Sequence, residues 1–592
     1  MPLAFKNINQ LCSFVLVETL KRLGLGCAII CPGSRSTPLA LAFAESKPDI
    51  EAISILDERS AAFFALGVAK ATKRPVVLVC SSGTAGANFY PAVIEAKESR
   101  IPLLILTADR PQEMRDCHSG QTIDQLKLYG NYPNWQTELA LPSADTGMLA
   151  YLRQTIIHAW EKTLYPVAGA VHLNIPFRDP LAPIADGNLE KRNNVETRNF
   201  ASLQLDVEDF FGITPLWSPT LHPYTFTIPE EWLRSQRGII IAGVAEIQEP
   251  EEYCHALAQL AKTLKWAVLA EGLSPVRNYA DLNPYLISTY DLILRNQDFS
   301  QHLTPEMVIQ IGELPTSKIL RTWINATQPR RWIIDKSDQN LDPLHGKTIH
   351  LRVSINQLVV KEKETIISPP PPLLWLWCSA EAQVRSNIDQ TMETMKELCE
   401  SKAAWLLSQT LPARTPLFIA NSMPVRDVEY FWKPNNSGVR SHFNRGANGI
   451  DGTLSTALGI AHQNQSSVML TGDLALLHDT NGFLIRNKLV GHLTIILINN
   501  NGGGIFETLA ISKFDPPFEE FFATPQDIDF AQLCATYNVE HQLITEWSTL
   551  LSKLNPLPTT GIRVLELQTN RKADAKWRQE NLPKFAANLD TI

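Results

Sequence analysis

Two short stretches of this chain carry groups suited to holding a hard metal ion. Gly472-Asp473 follows the apolar run 468–471, and Asn499-Asn500-Asn501-Gly502-Gly503-Gly504 follows the apolar run 493–498. One strand end offers a carboxylate, and the other offers carboxamides and unhindered backbone carbonyls. Mg²⁺ takes hard oxygen ligands in a near-octahedral shell that it often shares with phosphates. Asp473, the Asn500 side chain and the Gly502 carbonyl are therefore expected to hold one face of such an ion while a diphosphate fills another. Ordinary strand-to-loop turns are the plainer alternative for either stretch alone, since Gly, Asn and Asp are turn residues. The two together at this spacing favour a site.

The elements that must position these groups recur along the chain. A helix pattern over 7–23 leads to an apolar run at 27–31, which stops at Pro32-Gly33-Ser34-Arg35-Ser36. A strand at 52–56, a helix at 59–72, a strand at 75–80, a Gly-rich turn at 81–86, a helix at 87–96 and a strand at 102–107 follow. Such alternation predicts a parallel sheet covered on both faces. After a polar stretch near 188–199 the pattern resumes at 237–243, with strands at 267–270, 308–311 and 331–334 and a helix at 250–264. Four prolines at 369–372 act as a stiff linker. A third segment places strands at 417–420, 468–471 and 493–498. The expected fold class is α/β, with three domains (1–182, 183–372 and 373–592), each a mainly parallel sheet flanked by helices. Ligands of open parallel sheets bind where the strands end, so the loops there are the place for chemistry.

Other residues fit that placement. Glu58 stands after the strand 52–56 and before an apolar helix, where a carboxylate can be held in a low-dielectric cleft or simply favour the helix dipole. The glycine-rich loop 444–452 opens a helix at 453–461, and backbone N–H groups at a helix start favour an anion. Arg35, Arg110, Arg426 and Arg445 lie at strand ends or loops. Their planar guanidinium groups suit bidentate carboxylate recognition, with surface salt bridging as the alternative. Ile505, Phe506 and Leu509 follow the metal loop and can wall a cleft or pack a core.

Length and composition bound the remainder. The 592 residues carry 53 Lys and Arg against 61 Asp and Glu, a net charge of -8, with no basic run, which argues against nucleic-acid binding. No apolar run approaches the roughly 20 residues of a membrane span. Nine scattered cysteines without CxxC pairing read as reduced core thiols of a cytoplasmic protein. The first 25 residues read as a helix and not as a signal peptide.

Gly-Asp followed some two dozen residues later by Asn-Asn resembles the signature of the thiamine-diphosphate (ThDP) enzymes. Leu474 replaces the second Gly of the common pattern, as in one branch, the 2-succinyl-5-enolpyruvyl-6-hydroxy-3-cyclohexene-1-carboxylate synthase (MenD) family. Pro32-Gly33-Ser34-Arg35-Ser36-Thr37-Pro38-Leu39, Thr107-Ala108-Asp109-Arg110-Pro111 and Asn444-Arg445-Gly446-Ala447-Asn448-Gly449-Ile450-Asp451-Gly452 resemble further hallmarks of that branch. The resemblance implies a ThDP-binding fold of pyrimidine-binding, central and diphosphate-binding domains. It implies ThDP and Mg²⁺ (or Mn²⁺) as cofactors, with Asp473, Asn500 and Gly502 as metal ligands. Glu58 would hydrogen-bond the aminopyrimidine ring and promote loss of the thiazolium proton. Gly472, Leu474, Ser422, Asn448, Gly449, Ile450, Ile505 and Phe506 would line the cofactor. Ser34, Arg35, Arg110, Gln121 and Lys318 would bind substrate, together with Ser422, Arg426, Arg445, Phe506 and Leu509. Asp116-Cys117-His118-Ser119-Gly120-Gln121 departs from the commoner family pattern, so His118 is expected to have no catalytic role.

The implied activity is ThDP-dependent decarboxylation of 2-oxoglutarate with 1,4-addition of the succinyl-semialdehyde carbanion equivalent to isochorismate, in menaquinone or phylloquinone biosynthesis. Each substrate carries two carboxylates, which accounts for several arginines in an acidic protein. The family implies a homodimer or homotetramer with active sites between subunits. Two alternatives stay open: another ThDP-dependent 2-oxo acid carboligase or decarboxylase, such as one of acetolactate-synthase type with a nucleotide in its middle domain, and a non-catalytic ThDP-fold binding protein. The first is disfavoured by the absence of a GxGxxG after Ile241.

Overall fold

The computed structural model describes residues 3–184, 203–205, 207–211, 225–359 and 371–589. Three six-stranded sheets, all of their strand pairs parallel, organise these residues. In sequence order the first sheet uses Cys27–Ile30, Glu51–Ser54, Val76–Cys80, Leu103–Asp109, Trp135–Glu138 and Ala170–Pro176. The last uses Pro416–Ile419, Arg440–His442, Ser467–Gly472, His492–Asn499, Glu540–Ile544 and Gly561–Gln568. Counted within each sheet, both have the spatial order 2-1-3-4-6-5. The middle sheet, from Gly238–Ala242 to Thr348–Leu351, has the order 3-2-1-4-5-6, the dinucleotide-fold order.

Strands such as Val76–Cys80 and Leu103–Asp109 are buried along their whole length because helices cover both faces. The connecting helices start at legible signals. Asn7 caps Ile8–Arg22 by accepting from the Gln10 N–H, and Asp57 caps Glu58–Thr72 by accepting from the Ser60 N–H. The strand predicted over 52–56 ends at Ser54, because the chain turns early to set the Asp57 cap; Glu58 thus opens the helix and does not follow the strand directly. Within the Gly-rich turn predicted at 81–86, Thr84–Ala87 forms a helical turn, and the helix predicted at 87–96 begins at Tyr90. The polar stretch 188–199 and residues 369–370 lie outside the described residues. Pro372 is the first residue of the helix Pro372–Thr394, where its missing N–H costs nothing.

Two compact units emerge. One comprises Met1–Thr220, Asn444–His462 and His478–Val490; the other comprises Leu221–Phe443, Gln463–Leu477 and Gly491–Ile592. The first unit is cored on the first sheet by residues such as Leu39, Val77, Leu104 and Leu173. It also holds a close helix crossing. A Cβ on Gly67 would lie 2.1 Å from the Thr456 carbonyl oxygen, and one on Gly459 would lie 2.1 Å from that of Phe64. Only glycine at both positions lets Glu58–Thr72 and Thr453–Ala461 approach so closely.

In the second unit the middle and last sheets share one apolar cluster. The face Leu373, Leu374, Trp377, Ala380, Val384 and Ile388 of the helix Pro372–Thr394 packs with Ile239 and Ile241 and with Leu417 and Val468. Each large side chain so buried contributes about 1.5–3 kcal/mol. A buried ion pair reinforces the junction: Arg277 lies 3.4 Å from Glu429 and donates to the Glu429 carbonyl at 2.7 Å. The middle domain is therefore joined to the last sheet by packing and is more than a spacer.

Seven cysteines are buried, as expected of core thiols, but Cys378 is only half-buried and Cys117 is exposed. Cys117 belongs to a loop rather than to a packed element, which is why counting alone misplaced it. No helix among the described residues is long and apolar enough to cross a membrane.

Candidate functional site

In the first and last sheets the chain leaves adjacent strands in opposite directions, and such a reversal opens a crevice at the carboxyl ends. In the first sheet the crevice lies between Cys27–Ile30 and Val76–Cys80. Arg35 follows the first of these strands and is 8% exposed; its Nη1 donates to the Phe177 carbonyl at 3.0 Å and lies 3.7 Å from Asp179. Arg110 follows Leu103–Asp109, and its Nη1 donates to the Gln121 carbonyl at 2.6 Å and to the Ser82 hydroxyl. Gln121, at φ 55°, donates from Nε2 to the Ser82 carbonyl at 3.0 Å. Burial and the nearby Arg35 charge lower the Arg110 pKa. Ser34 is exposed at the same strand end. Ser34, Arg35, Arg110 and Gln121 thus converge on one rim with two neighbouring cations, an arrangement that attracts an anion. Arg35 is buried, so surface salt bridging does not describe it.

Glu58 is half-buried at the first position of its helix. No hydrogen bond or ion pair among the described residues involves its carboxylate. It lies close enough to Cys31 and Cys80 for its charge to add to the burial that raises both thiol pKa values. The loop 444–452 carries Arg445, Asn448, Gly449 and Ile450, with Asn448 exposed at φ 60° and Ile450 half-buried. Two N–H groups of this loop meet a carboxylate of the chain itself. Glu95, 3% exposed, accepts from the Gly446 and Ala447 N–H groups at 3.0 and 2.8 Å. At the start of the following helix, Asp479 accepts from the Ser455 N–H at 2.6 Å. Burial raises the Asp479 pKa to about 6. Buried carboxylates thus accept from three N–H groups of this segment, those of Gly446, Ala447 and Ser455.

In the last sheet the reversal lies between Pro416–Ile419 and Ser467–Gly472, with Ser422 and Asp473 beyond their ends. Asp473 is buried; Oδ2 accepts from the Gly502 N–H and Oδ1 from the Leu474 N–H, both at 2.8 Å. Burial pushes its pKa up to about 6. Asn500 is also buried, and its Nδ2 donates to Glu400 Oε1 at 2.6 Å while its Oδ1 has no partner. Gly502 sits at φ 139°, where a Cβ would come within 2.4 Å of the Ala523 carbonyl oxygen. The Gly502 carbonyl accepts from the Gly504 N–H at 2.9 Å; a buried, unpartnered carboxamide oxygen, with a carboxylate bonded to the N–H of a glycine two residues on, fits a hard cation. Among the described residues no group of three or more His, Cys, Asp and Glu offers another metal site.

Ser422 precedes the helix Met423–Phe431 at φ 73° and ψ -127°, a strained conformation for a non-glycine residue, and its hydroxyl does not cap the helix. Arg426 is half-buried and donates to the Ser422 carbonyl at 2.6 Å; burial lowers its pKa. Ile505 and Phe506 are half-buried on the turn Gly504–Thr508, with the Phe506 ring 5.9 Å from that of Phe522. Leu509 is 41% exposed, so it packs no core. Lys318 is exposed at the first position of Lys318–Thr327.

The family profile described as "Thiamine pyrophosphate enzyme, N-terminal TPP binding domain" matches residues 12–128, and "Middle domain of thiamine pyrophosphate" matches residues 222–419. The chain is 71% identical over 589 residues to the 2-succinyl-5-enolpyruvyl-6-hydroxy-3-cyclohexene-1-carboxylate synthase of Trichormus variabilis, covering 99% of this chain and 100% of that one. It belongs to that synthase family. The synthase of a Nostoc species is 70% identical over 589 residues, with the same coverage. A ThDP-dependent 4-hydroxybenzoylformate decarboxylase of Rhodococcus jostii shares the fold at TM-score 0.65 and 15% identity, covering 94% of this chain and 99% of that one.

For this member of the synthase family, motif reading missed the residues that hold the motifs. Glu95, Glu400, Asp479, Arg571 and Arg578 stand in no signature. Only Arg571 and Arg578 carried a signal, their seven-residue spacing on one helix face.

Proposed function

We propose that the chain catalyses decarboxylation of 2-oxoglutarate and 1,4-addition of the resulting succinyl-semialdehyde carbanion equivalent to isochorismate, using ThDP and Mg²⁺ or Mn²⁺, in menaquinone or phylloquinone biosynthesis. The unpartnered Asn500 Oδ1 beside Asp473 is the observation that carries the cofactor reading. The 71% identity to a synthase of that name supports the substrate choice. When bound, ThDP supplies the electron sink for loss of CO₂ and transfer of the remaining acyl fragment.

The chain's residues supply position and electrostatics. Asp473, Asn500 Oδ1 and the Gly502 carbonyl hold the metal that anchors the diphosphate, with Gly472 and Leu474 flanking it. Glu58, uncommitted to any other partner, holds a proton at the aminopyrimidine. Ile450, Ile505 and Phe506, with Asn448 and Gly449, wall the rings and exclude water. Arg35 and Arg110, backed by Ser34 and Gln121, grip one substrate carboxylate; Arg426, Arg445 and Lys318 grip others, and Ser422 and Leu509 orient the reacting fragment. Fixing both partners at near-attack geometry removes much of the entropic barrier of a bimolecular step.

Domain limits at residues 182 and 372, a cytoplasmic location and a homodimer or homotetramer complete the proposal. Glu58 lies in one compact unit and Asp473 in the other. The test is an assay with 2-oxoglutarate, isochorismate, ThDP and Mg²⁺, following isochorismate loss with each component omitted in turn. No turnover in the complete mixture refutes the activity.

A further inference from the structure

The Asn500 carboxamide has two ends, and only its oxygen can ligate a cation. A carboxylate accepts hydrogen bonds and donates none, so the Glu400 oxygen 2.6 Å away fixes Nδ2 toward itself and leaves Oδ1 turned the other way. Glu400 is itself immobilised. It opens the helix Glu400–Thr410, is 2% exposed, and its Oε2 accepts from Arg578 Nη2 at 2.7 Å. Arg578 also donates to both Asp427 oxygens, at 2.7 and 2.9 Å, so it cannot follow Glu400 elsewhere without leaving a buried carboxylate unpaired. Asp427 directly follows Arg426 on the helix Met423–Phe431.

The same C-terminal helix, Arg571–Asn581, holds the loop from its other end. Arg571 Nη1 donates to the Asn501 carbonyl at 3.0 Å, Nε pairs with Glu507 at 3.0 Å, and Nη2 reaches Glu519. One helix thus braces the chain on both sides of Gly502.

We propose that Glu400, held by Arg578, is a positioning residue that selects the metal-binding orientation of the Asn500 carboxamide. The proposal rests on the metal reading above, and the following experiment separates the two. In Glu400→Gln the glutamine oxygen stays on the Arg578 cation and its NH₂ faces Asn500. Asn500 must then flip to present Oδ1 to that NH₂ and its own NH₂ to the metal. In the double variant E400Q/N500D both ends of residue 500 are oxygens, so orientation no longer matters.

Free Mn²⁺ is measured by electron paramagnetic resonance in the presence of ThDP, with circular dichroism to confirm folding. E400Q is expected to bind Mn²⁺ about 10- to 100-fold more weakly than the natural chain, and E400Q/N500D is expected to recover most of that loss. Glu400→Asp, which retains an accept-only group, is expected to lose less than E400Q and serves if the glutamine variant does not fold. A purely structural role for Glu400 predicts no recovery in the double variant. Unchanged Mn²⁺ affinity in E400Q, or no recovery in E400Q/N500D, overturns the proposal. If Asp473→Ala binds Mn²⁺ as well as the natural chain does, the metal reading itself fails.

Discussion

Gly67→Ala tests whether the crossing of Glu58–Thr72 with Thr453–Ala461 sets the geometry of the catalytic half. The new Cβ would stand 2.1 Å from the Thr456 carbonyl oxygen and must retreat by roughly 1.3 Å to reach ordinary contact at 3.4 Å. The obstacle is helix backbone, and Gly459 Cα at 2.9 Å blocks the neighbouring direction. Neither can yield by a rotamer change, so the helices must separate. Overpacking of this kind costs about 1–3 kcal/mol, partly offset by the higher helix propensity of alanine. Glu58 opens one helix and the loop 444–452 leads into the other. With Glu58 and Asn448–Ile450 in the roles proposed for them, the shift displaces one relative to the other, and a misplacement near 1 Å costs about 100-fold in rate. The expected outcome is a lowered thermal midpoint together with a fall in kcat of one to two orders of magnitude in the isochorismate-consumption assay, with little change in KM. A Gly67→Ala enzyme with unchanged midpoint and kcat would refute the claim that this contact holds the two segments in register.

Arg110→Ala should raise the apparent KM for at least one substrate by tenfold or more, since it removes one of two neighbouring cations; unchanged affinity for both removes Arg110 from the substrate site. Mixing inactive Glu58→Gln with inactive Asp473→Asn and allowing subunits to exchange should restore part of the activity if different subunits supply the two residues, and should restore none if one subunit supplies both. Burial lowers the His172 pKa from 6.5 to about 4. The folded chain favours neutral imidazole, so this contribution is complete above pH 6.5 and declines as pH falls toward 4, by about 3 kcal/mol in all. His172→Gln should flatten the loss of thermal stability over that window, and an unchanged pH profile would show that His172 does not govern it.

Much of the candidate site's placement was legible because its signals are local. Asp473 and Asn500 follow apolar runs that form buried strands, and Arg35 and Arg110 do the same in the first sheet. The helix over 7–23 was legible for the same reason, and its Asn7 cap acts within three residues of itself. The errors came where a distant group intervened. The loop 444–452 was read as open to an anion, and nothing local revealed that Glu95, some 350 residues earlier, accepts from its Gly446 and Ala447 amides. Glu58 was placed at a strand end because nothing in residues 52–56 reveals that the strand stops at Ser54 to form a cap.

The sequence by itself determined the α/β class, the three sheets and the family, and it nominated the groups proposed to ligate, because strand periodicity and motif spacing are properties of contiguous residues. Tertiary structure alone decided how those groups are aimed. The orientation of Asn500 depends on an accept-only carboxylate a hundred residues away and on a buried arginine beyond it. The close approach of the helices Glu58–Thr72 and Thr453–Ala461 depends on two glycines, remote in sequence, meeting at one crossing. Hydrogen-bond direction and close packing are fixed by atoms near in space, and nearness in space is what a linear pattern does not encode.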